Sequence, residues 1–471
     1  MNTDPRLSML VDMPAEVGTP PTTPAAQSYE RAVQLYKSQN PGDAYPLFVA
    51  TAQADPGHAG AWYHMGLMLF QDHKYKAARA CLERVNQIKP DNPRILTNLG
   101  WYSHASDDTD AGLHYLKRAV SIGPDLALGW SNLSQIHIAL SDLDAALRCA
   151  VRGLDLCSDC NPIHAMSLAF THLFRGELLE GLGYYKARFR YKLQQFLAYA
   201  YPMWEGEKTG TLFLRAEQGI GDTVSTLRFL PEATRRADKT ICFVNAELRT
   251  LVEDMRLPNT EVKALPSVLP AFADAWLPMM SLPMALKATM SNLPAFELPR
   301  YGKPAPHDGM NIGVVWAGSK DMDMTRWRDV PLAEILPLLS MEGTRWVSLQ
   351  KGDGQPQITI EGVHGILEDI SPVLIDMRET ARAISSLDLV VTCCTSVAHL
   401  SAAMGKPTFV LRNRRSSDWR WGLGSRKGVP WYGDNVRIFE RDYHEGWVDV
   451  VRRVREAILE CQTKQKLQKA A

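Results

Sequence analysis

No apolar stretch of this 471-residue chain approaches the ~20 residues that a membrane-crossing helix needs. Net charge is missing too. Lys+Arg and Asp+Glu both count 52, so nothing global draws in nucleic acid or an anionic membrane, and any site for an anion must be local. The eight cysteines follow no regular spacing, which excludes a disulfide framework and suits a reducing compartment. Cys157 and Cys160 form a CxxC, but no further zinc ligands stand nearby, and the pair ends a helical repeat rather than a strand-to-helix turn. They read as structural. The opening MNTDPRLSMLVDMPAEVG has no basic start followed by an apolar core, so no secretion signal is expected and the expected location is cytoplasmic. Hydrophobic residues at 45% and charged residues at 22% describe an ordinary globular chain, long enough for about two to four domains.

Residues 1–27 are rich in Pro and Thr and poor in large apolar residues, which predicts a flexible tail. A repeat follows over 28–160. Pro56, Pro90 and Pro124 stand 34 apart, each after a helical pattern. Trp62, Leu96 and Trp130 share a second repeat position, Gly66 and Gly100 a third, and Ala78, Gly112 and Ala146 a fourth. Small residues at the last two positions let paired helices approach closely, and the large residues are expected to fill the groove. This resembles the tetratricopeptide repeat, a solenoid that presents a concave surface to a protein or sometimes self-associates. Residues 161–203 read as capping helices and a linker. His64, His104 and His137 lie in repeat helices without metal spacing and read as packing or surface residues.

After about residue 205 the pattern changes. Short apolar runs (TLFLRA, TICFVNA, AWLPMM, NIGVVWAG, RWVSLQ, LDLVVTC, PTFVL) alternate with helical segments, which predicts a parallel α/β arrangement. It falls into two halves, 204–298 and 310–442, joined by a Pro- and Gly-rich connector, with a last helix and tail over 443–471. Two doubly wound halves facing each other place a cleft at the carboxyl ends of their strands.

Three stretches carry candidate chemistry. In EQGIGDT, Gly219, Gly221 and Asp222 follow a strand and precede a helix, so backbone can approach a ligand and helix N–H groups are free. Spacing alone leaves Asp222 open between a helix cap and a functional carboxylate. In CCTSVAHLSAAMG, Thr395, Ser396 and Val397 open a small-residue helix whose N–H groups can face an anion, and His399 lies one turn in. Lys320 and Lys351 follow strands of the second half and are candidate cations, with Arg326 and Arg328 on the same loop as Lys320. Trp316 and Gln350 at strand ends, with Arg412 and Trp419 in the Arg- and Trp-dense stretch 411–433, are candidate nucleotide contacts.

Together, EQGIGDTVSTLRFLP, NIGVVWAGS, VSLQKG, DLVVTCCTSVAHLSAAMGKP and DWRW…PWY look like a bacterial tetratricopeptide-repeat glycosyltransferase. Its catalytic region is similar to the heptosyltransferase-like branch of the GT-B fold, and the resemblance covers about 204–460. It implies two Rossmann-like halves around a cleft, with a nucleotide-sugar held by the C-terminal half and an acceptor approaching the N-terminal half. No metal and no cofactor are implied. It also implies that Asp222, matching the family's Gly-Asp turn, is the general base, and that Thr395, Ser396 and His399 lie at the donor diphosphate. Cys394 stands where heptosyltransferases often have Asp, so that carboxylate's role is missing here. The last helix is expected to pack across the halves as such terminal helices do. The expected activity is inverting, metal-independent transfer of a sugar to Ser or Thr hydroxyls of a protein acceptor chosen by the repeats. Flagellin-modifying enzymes are among the relatives. An inactive scaffold of the same fold, or a transferase acting on lipopolysaccharide or another glycan, are the alternatives.

Overall fold

The computed structural model describes residues 23–38, 40–157, 161–191, 201–268, 270–302, 308–319, 325–415, 418–424 and 426–470. The chain divides into two compact units within 175–197.

The first unit is a run of helical hairpins: α1 (Pro24–Lys37), α2 (Pro41–Ala54), α3 (Ala59–Gln71), α4 (Tyr75–Ile88), α5 (Pro93–Ala105), α6 (Thr109–Ile122), α7 (Ala127–Ala139), α8 (Leu143–Asp155) and α9 (Pro162–Arg175). A further helix, α10 (Leu178–Tyr185), follows in the stretch read as a cap. The first helix begins inside the predicted tail. Pro24 sits at its start, and Thr23 caps it by accepting from the Ala26 N–H at 3.2 Å. Residues 1–22 lie outside the described residues, as does Cys160 of the CxxC pair.

The small positions work as their spacing predicts. A Cβ at Gly66 would lie 2.5 Å from a methyl of Leu82, and one at Gly112 would lie 2.8 Å from the Gly100 carbonyl oxygen. The tryptophans do something else. Trp62 and Trp130 are only half-buried, and each donates its indole N–H back to the proline that begins its turn, Pro56 at 3.2 Å and Pro124 at 2.9 Å. They clamp turns, Trp130 while also packing against the core of Leu116, Leu133 and Ile136, whereas Leu96 is buried outright. The 34-residue period also fixes backbone: His73, Asp107 and Ser141 all take left-handed φ of 61°, 76° and 64° in equivalent turns. The repeat histidines are packing residues: His64 stacks on Phe48 at 4.8 Å, and His104 bonds Thr109 at 3.2 Å.

The second unit holds two sheets. The first has the order β3-β2-β1-β4, all parallel, from β1 (Thr209–Arg215), β2 (Ala237–Val244), β3 (Thr260–Ala264) and β4 (Ala275–Pro278). The second comprises β5 (Met310–Val315), β6 (Thr344–Ser348), β7 (Leu367–Asp369), β8 (Leu389–Cys393), β9 (Thr408–Asn413), β10 (Arg426–Val429) and β11 (Gly433–Arg441). Its order is β10-β11-β9-β8-β5-β6-β7, and only the β10–β11 pair is antiparallel. The chain is therefore a helical solenoid followed by an α/β unit.

Strand alternation splits the core of the second sheet. Val391, Leu411 and Phe439 face one side, against α12 (Leu332–Leu339) and α14 (Trp447–Ala470). Val410, Val436 and Ile438 face the other, against α13 (Ser396–Ala403) and Trp421. The apolar face predicted for the last helix is real, since Trp447, Val450, Val451, Val454 and Ile458 are all buried. Its destination is corrected: that face completes the core of the C-terminal sheet rather than spanning the two halves.

Candidate active site

Leu212, Phe213 and Leu214 are fully buried in β1 and deliver the chain to its carboxyl edge at 216–219. A short helix, α11 (Ile220–Thr226), starts there with Gly219 as its N-cap residue. Gly221 and Asp222 thus lie in the first helical turn, not in a loop before it. Asn245, at the end of β2, steadies the edge: its carbonyl accepts from Thr223 Oγ1 at 2.8 Å, and its amide donates to the Gln218 carbonyl at 3.4 Å. The Asp222 carboxylate accepts from the Gly219 N–H, which is the return half of a helix cap. The side chain that makes this cap keeps 28% of its surface exposed.

On the second sheet, β8 is buried along its whole length and turns into α13 at Thr395. Thr395 occupies the N-cap position but makes no side-chain cap bond, because its hydroxyl pairs with that of Thr392 at 3.1 Å. The N–H groups of Ser396 and Val397 in the first turn therefore have no side-chain cap from it. His399 is buried. Its Nδ1 bonds the Tyr432 hydroxyl at 2.6 Å, its ring stacks on Trp421 at 4.7 Å, and its Nε2 lies 3.5 Å from Asp418 Oδ2.

The two halves meet at these helices. A Cβ on Gly221 would lie 2.7 Å from His399 Cδ2 and 3.4 Å from the Ser396 Cα. This glycine makes room for the facing helix. The junction continues as an aromatic stack. Trp421 lies on Tyr432 at 4.8 Å, Tyr432 on Phe296 at 5.6 Å, and the Arg228 guanidinium caps Phe296 at 4.4 Å. Arg228 also donates to the carbonyls of Pro294 and Trp431.

Sequence reasoning missed the residue that closes the site. A 3-10 turn at Trp419–Trp421, capped by Asp418, carries Arg420 across the junction. Arg420 Nη2 lies 3.3 Å from Asp222 Oδ1, while Nη1 donates to both Asp418 oxygens at 2.9 and 3.0 Å. The guanidinium rests over the Trp419 ring at 4.8 Å, and Trp419 meets Trp431 edge-on at 5.0 Å. Trp419 is thus a support for Arg420. The only hint in the sequence was the DWRW run, an acid two residues from a cation between aromatic faces.

The electrostatics follow from burial and this one cation. Burial pushes the Asp222 carboxyl above its ordinary value, Arg420 opposes that, and Asp418 and Glu217 add to it. Burial also pushes Asp418 up, but Arg420 and His399 outweigh it and leave Asp418 below its ordinary value. Burial drives His399 down to about 4, against a pull from Asp418, so the ring is neutral at pH 7. Cys394 is pushed by burial up to about 11 and accepts from the Trp421 indole N–H at 3.2 Å, so it supplies no negative charge. Ligand-type atoms of Cys394, His399 and Asp418 lie within 4.8 Å of one another, and Arg420 already brings a positive charge to this group.

The other expected contacts are placed differently. Gln350 spends its side chain on framework: Oε1 accepts from the Trp316 and Ala317 N–H groups, and Nε2 donates to the Ala317 and Lys351 carbonyls. Trp316 is fully buried, with its indole N–H on the Gly354 carbonyl at 3.2 Å. Arg412 is buried in an ion pair with Glu440 and donates to the Gly422 carbonyl. All three spend polar groups on holding the loops at the strand ends. Lys351 is exposed and donates to the Leu374 carbonyl. Arg328 ends a short helical turn over Thr325–Arg328 and reaches back to the segment after β5, with Nη2 on the Ser319 carbonyl at 3.1 Å. Lys320 and the side chain of Arg326 lie outside the described residues.

Comparison with known proteins matches residues 35–99 to the tetratricopeptide repeat. The chain is 24% identical to Protein FlbA of Caulobacter vibrioides over 77% of its own length and 65% of that protein's. It is 28% identical to the BBSome complex member BBS4 of Mus musculus over 30% of its length and 27% of that protein's. It therefore spans less than two thirds of each of these relatives. Among solved structures, a MamA double mutant shares 14% identity at a TM-score of 0.32, over 37% of this chain and 97% of that one.

Proposed function

We propose that the protein is a glycosyltransferase that moves a sugar from a nucleotide-sugar to a Ser or Thr hydroxyl of a protein acceptor. One observation carries the reading. The helical turn that holds Asp222, at the carboxyl edge of the first parallel sheet, packs on the first turn of α13 at the carboxyl edge of the second, where Gly221 touches His399 and Ser396. Carboxyl edges of doubly wound sheets are where such folds bind ligands. The GT-B resemblance implies the same two edges.

In this reading Asp222 takes the proton as the acceptor oxygen attacks the anomeric carbon, and the bond from that carbon to the diphosphate oxygen breaks. The departing diphosphate carries its negative charge toward the N–H groups of Ser396 and Val397, with Arg328, whose charge reaches Cys394, as a nearby cation. A carboxyl raised by burial is better matched to proton removal near neutral pH than an ordinary one. A protein acceptor is supported by the repeat unit, since such solenoids commonly hold peptides. Flagellin belongs among the acceptors to try. The match to FlbA covers 77% of the chain, more than either unit alone, which supports the two units acting as one protein.

The test combines binding with turnover. Calorimetry with UDP, GDP, ADP, TDP and CMP is expected to find one nucleotide that binds wild type and Asp222→Asn alike. Transfer of the matching sugar to an acceptor protein is expected to fall about 10²–10⁴-fold in Asp222→Asn. Undiminished turnover in that variant removes Asp222 from the base role. Absence of binding by any nucleotide overturns the reading.

A further inference from the structure

We propose that Arg420 is a positioning residue for Asp222, reaching from the C-terminal half to fix the direction and the charge of a carboxylate that belongs to the N-terminal half. This deepens the transferase reading of Asp222 and rests on it.

The guanidinium is held from several sides. Only 4% of the Arg420 side chain is exposed. Its Nη1 spans both oxygens of Asp418, Trp419 supports its plane, and Nη2 also lies 3.7 Å from Met280 Sδ. A fork fixed this way cannot swing with solvent, so the 3.3 Å approach of Nη2 to Asp222 Oδ1 sets where that oxygen sits. The second oxygen is aimed by the Gly219 N–H. One cation then serves two acids with different tasks. Asp418 anchors it, and Asp222, 28% exposed, is the one left open to a reacting hydroxyl.

The charged neighbours of Asp222 can be named from each side. Arg420 and Asp418 face it from the 418–421 turn, and Glu217 faces it from its own loop. His399 of α13 packs on Gly221 and stays neutral down to about pH 4. Arg420 is therefore the one positive charge in this set. Without it, the Gly219 N–H is left to oppose burial and two negative neighbours at Asp222.

The experiment follows the Asp222 carboxyl directly and needs no substrate. The full chain is labelled with ¹³C at aspartate carboxyls, and the Asp222 signal is assigned by its absence in Asp222→Asn. Each variant is titrated, with near-UV circular dichroism as the check on folding. In Arg420→Gln the Asp222 midpoint is expected to rise by about 1 unit or more. Arg420→Lys keeps the charge without the fork and is expected to recover part of that rise. An unmoved midpoint in folded Arg420→Gln overturns the proposal. If Arg420→Gln does not fold, Asp418→Asn decides. It removes a negative neighbour and leaves Arg420 to Asp222 alone, so the Asp222 midpoint must fall. A rise there overturns the proposal. The transferase reading fails separately. Titration as expected in a protein without nucleotide binding sinks that reading alone, and an unmoved midpoint in an active enzyme sinks the role of Arg420 alone.

Discussion

Gly221 of the first half and His399 of the second are in direct contact: any side chain at 221 would begin 2.7 Å from the imidazole. Because Gly221 lies inside the first turn of α11, alanine there gains up to about 1 kcal/mol of helix propensity. Overpacking opposes it at about 1–3 kcal/mol, because His399 is held by Tyr432 and Trp421 and cannot yield freely. We expect Gly221→Ala to be less stable than wild type in urea unfolding, and Gly221→Val markedly more so. Equal midpoints would mean that the two helices separate readily.

The neutral state of His399 makes stability depend on pH. Folded, the ring takes its proton only near pH 4, whereas an ordinary histidine does so near 6.5. The stability contributed by the neutral ring is complete above the ordinary value and is lost as pH falls toward the folded one. The loss is bounded at about 3 kcal/mol. The stability difference between wild type and His399→Phe should therefore shift in favour of the variant between pH 7 and pH 5. A pH-independent difference would show that the ring titrates normally.

Arg412 and Glu440 form a buried ion pair beneath the 418–424 segment, and Glu440 also accepts from Arg414 at 2.9 Å and from the Gly424 N–H at 3.2 Å. Removing one partner strands the other. Arg412→Met is expected to destabilise by about 3–5 kcal/mol, and the double change Arg412→Met with Glu440→Leu by less than the sum of the singles. The readout is a double-mutant cycle in urea. Additive losses would mean that the two side chains act independently.

Ser141 is exposed and sits at φ 64°, a conformation that disfavours any residue with a Cβ. We expect Ser141→Gly to stabilise the helical unit by about 0.5–1 kcal/mol. Thermal unfolding checks it, and a lower midpoint would show that Ser141 contributes a contact that outweighs its strain.

The repeat was legible because its signals are local and periodic: prolines, small residues and large residues each recur every 34 positions. The seven apolar runs all became strands for the same reason. β3, β7, β10 and β11 were not read. β3 is an edge strand with Glu261 and Lys263 paired on it at 2.9 Å, and β7 has only three residues. β10 and β11 grow out of an Arg- and Trp-rich stretch that reads as a ligand cradle. In the site, Asp222 and the 395–399 helix were legible from turn chemistry. Arg420 was not, because its partner lies 198 positions away in sequence, and only folding brings the DWRW turn over the first half.

As proposed, Arg420 of the second half of the α/β unit sets both the direction and the charge of Asp222 in the first. Neither half is therefore a transplantable part. A chimera that joins the first half of this chain to the second half of a relative inherits an unbalanced carboxylate unless the relative also carries an acid-anchored arginine in the matching turn.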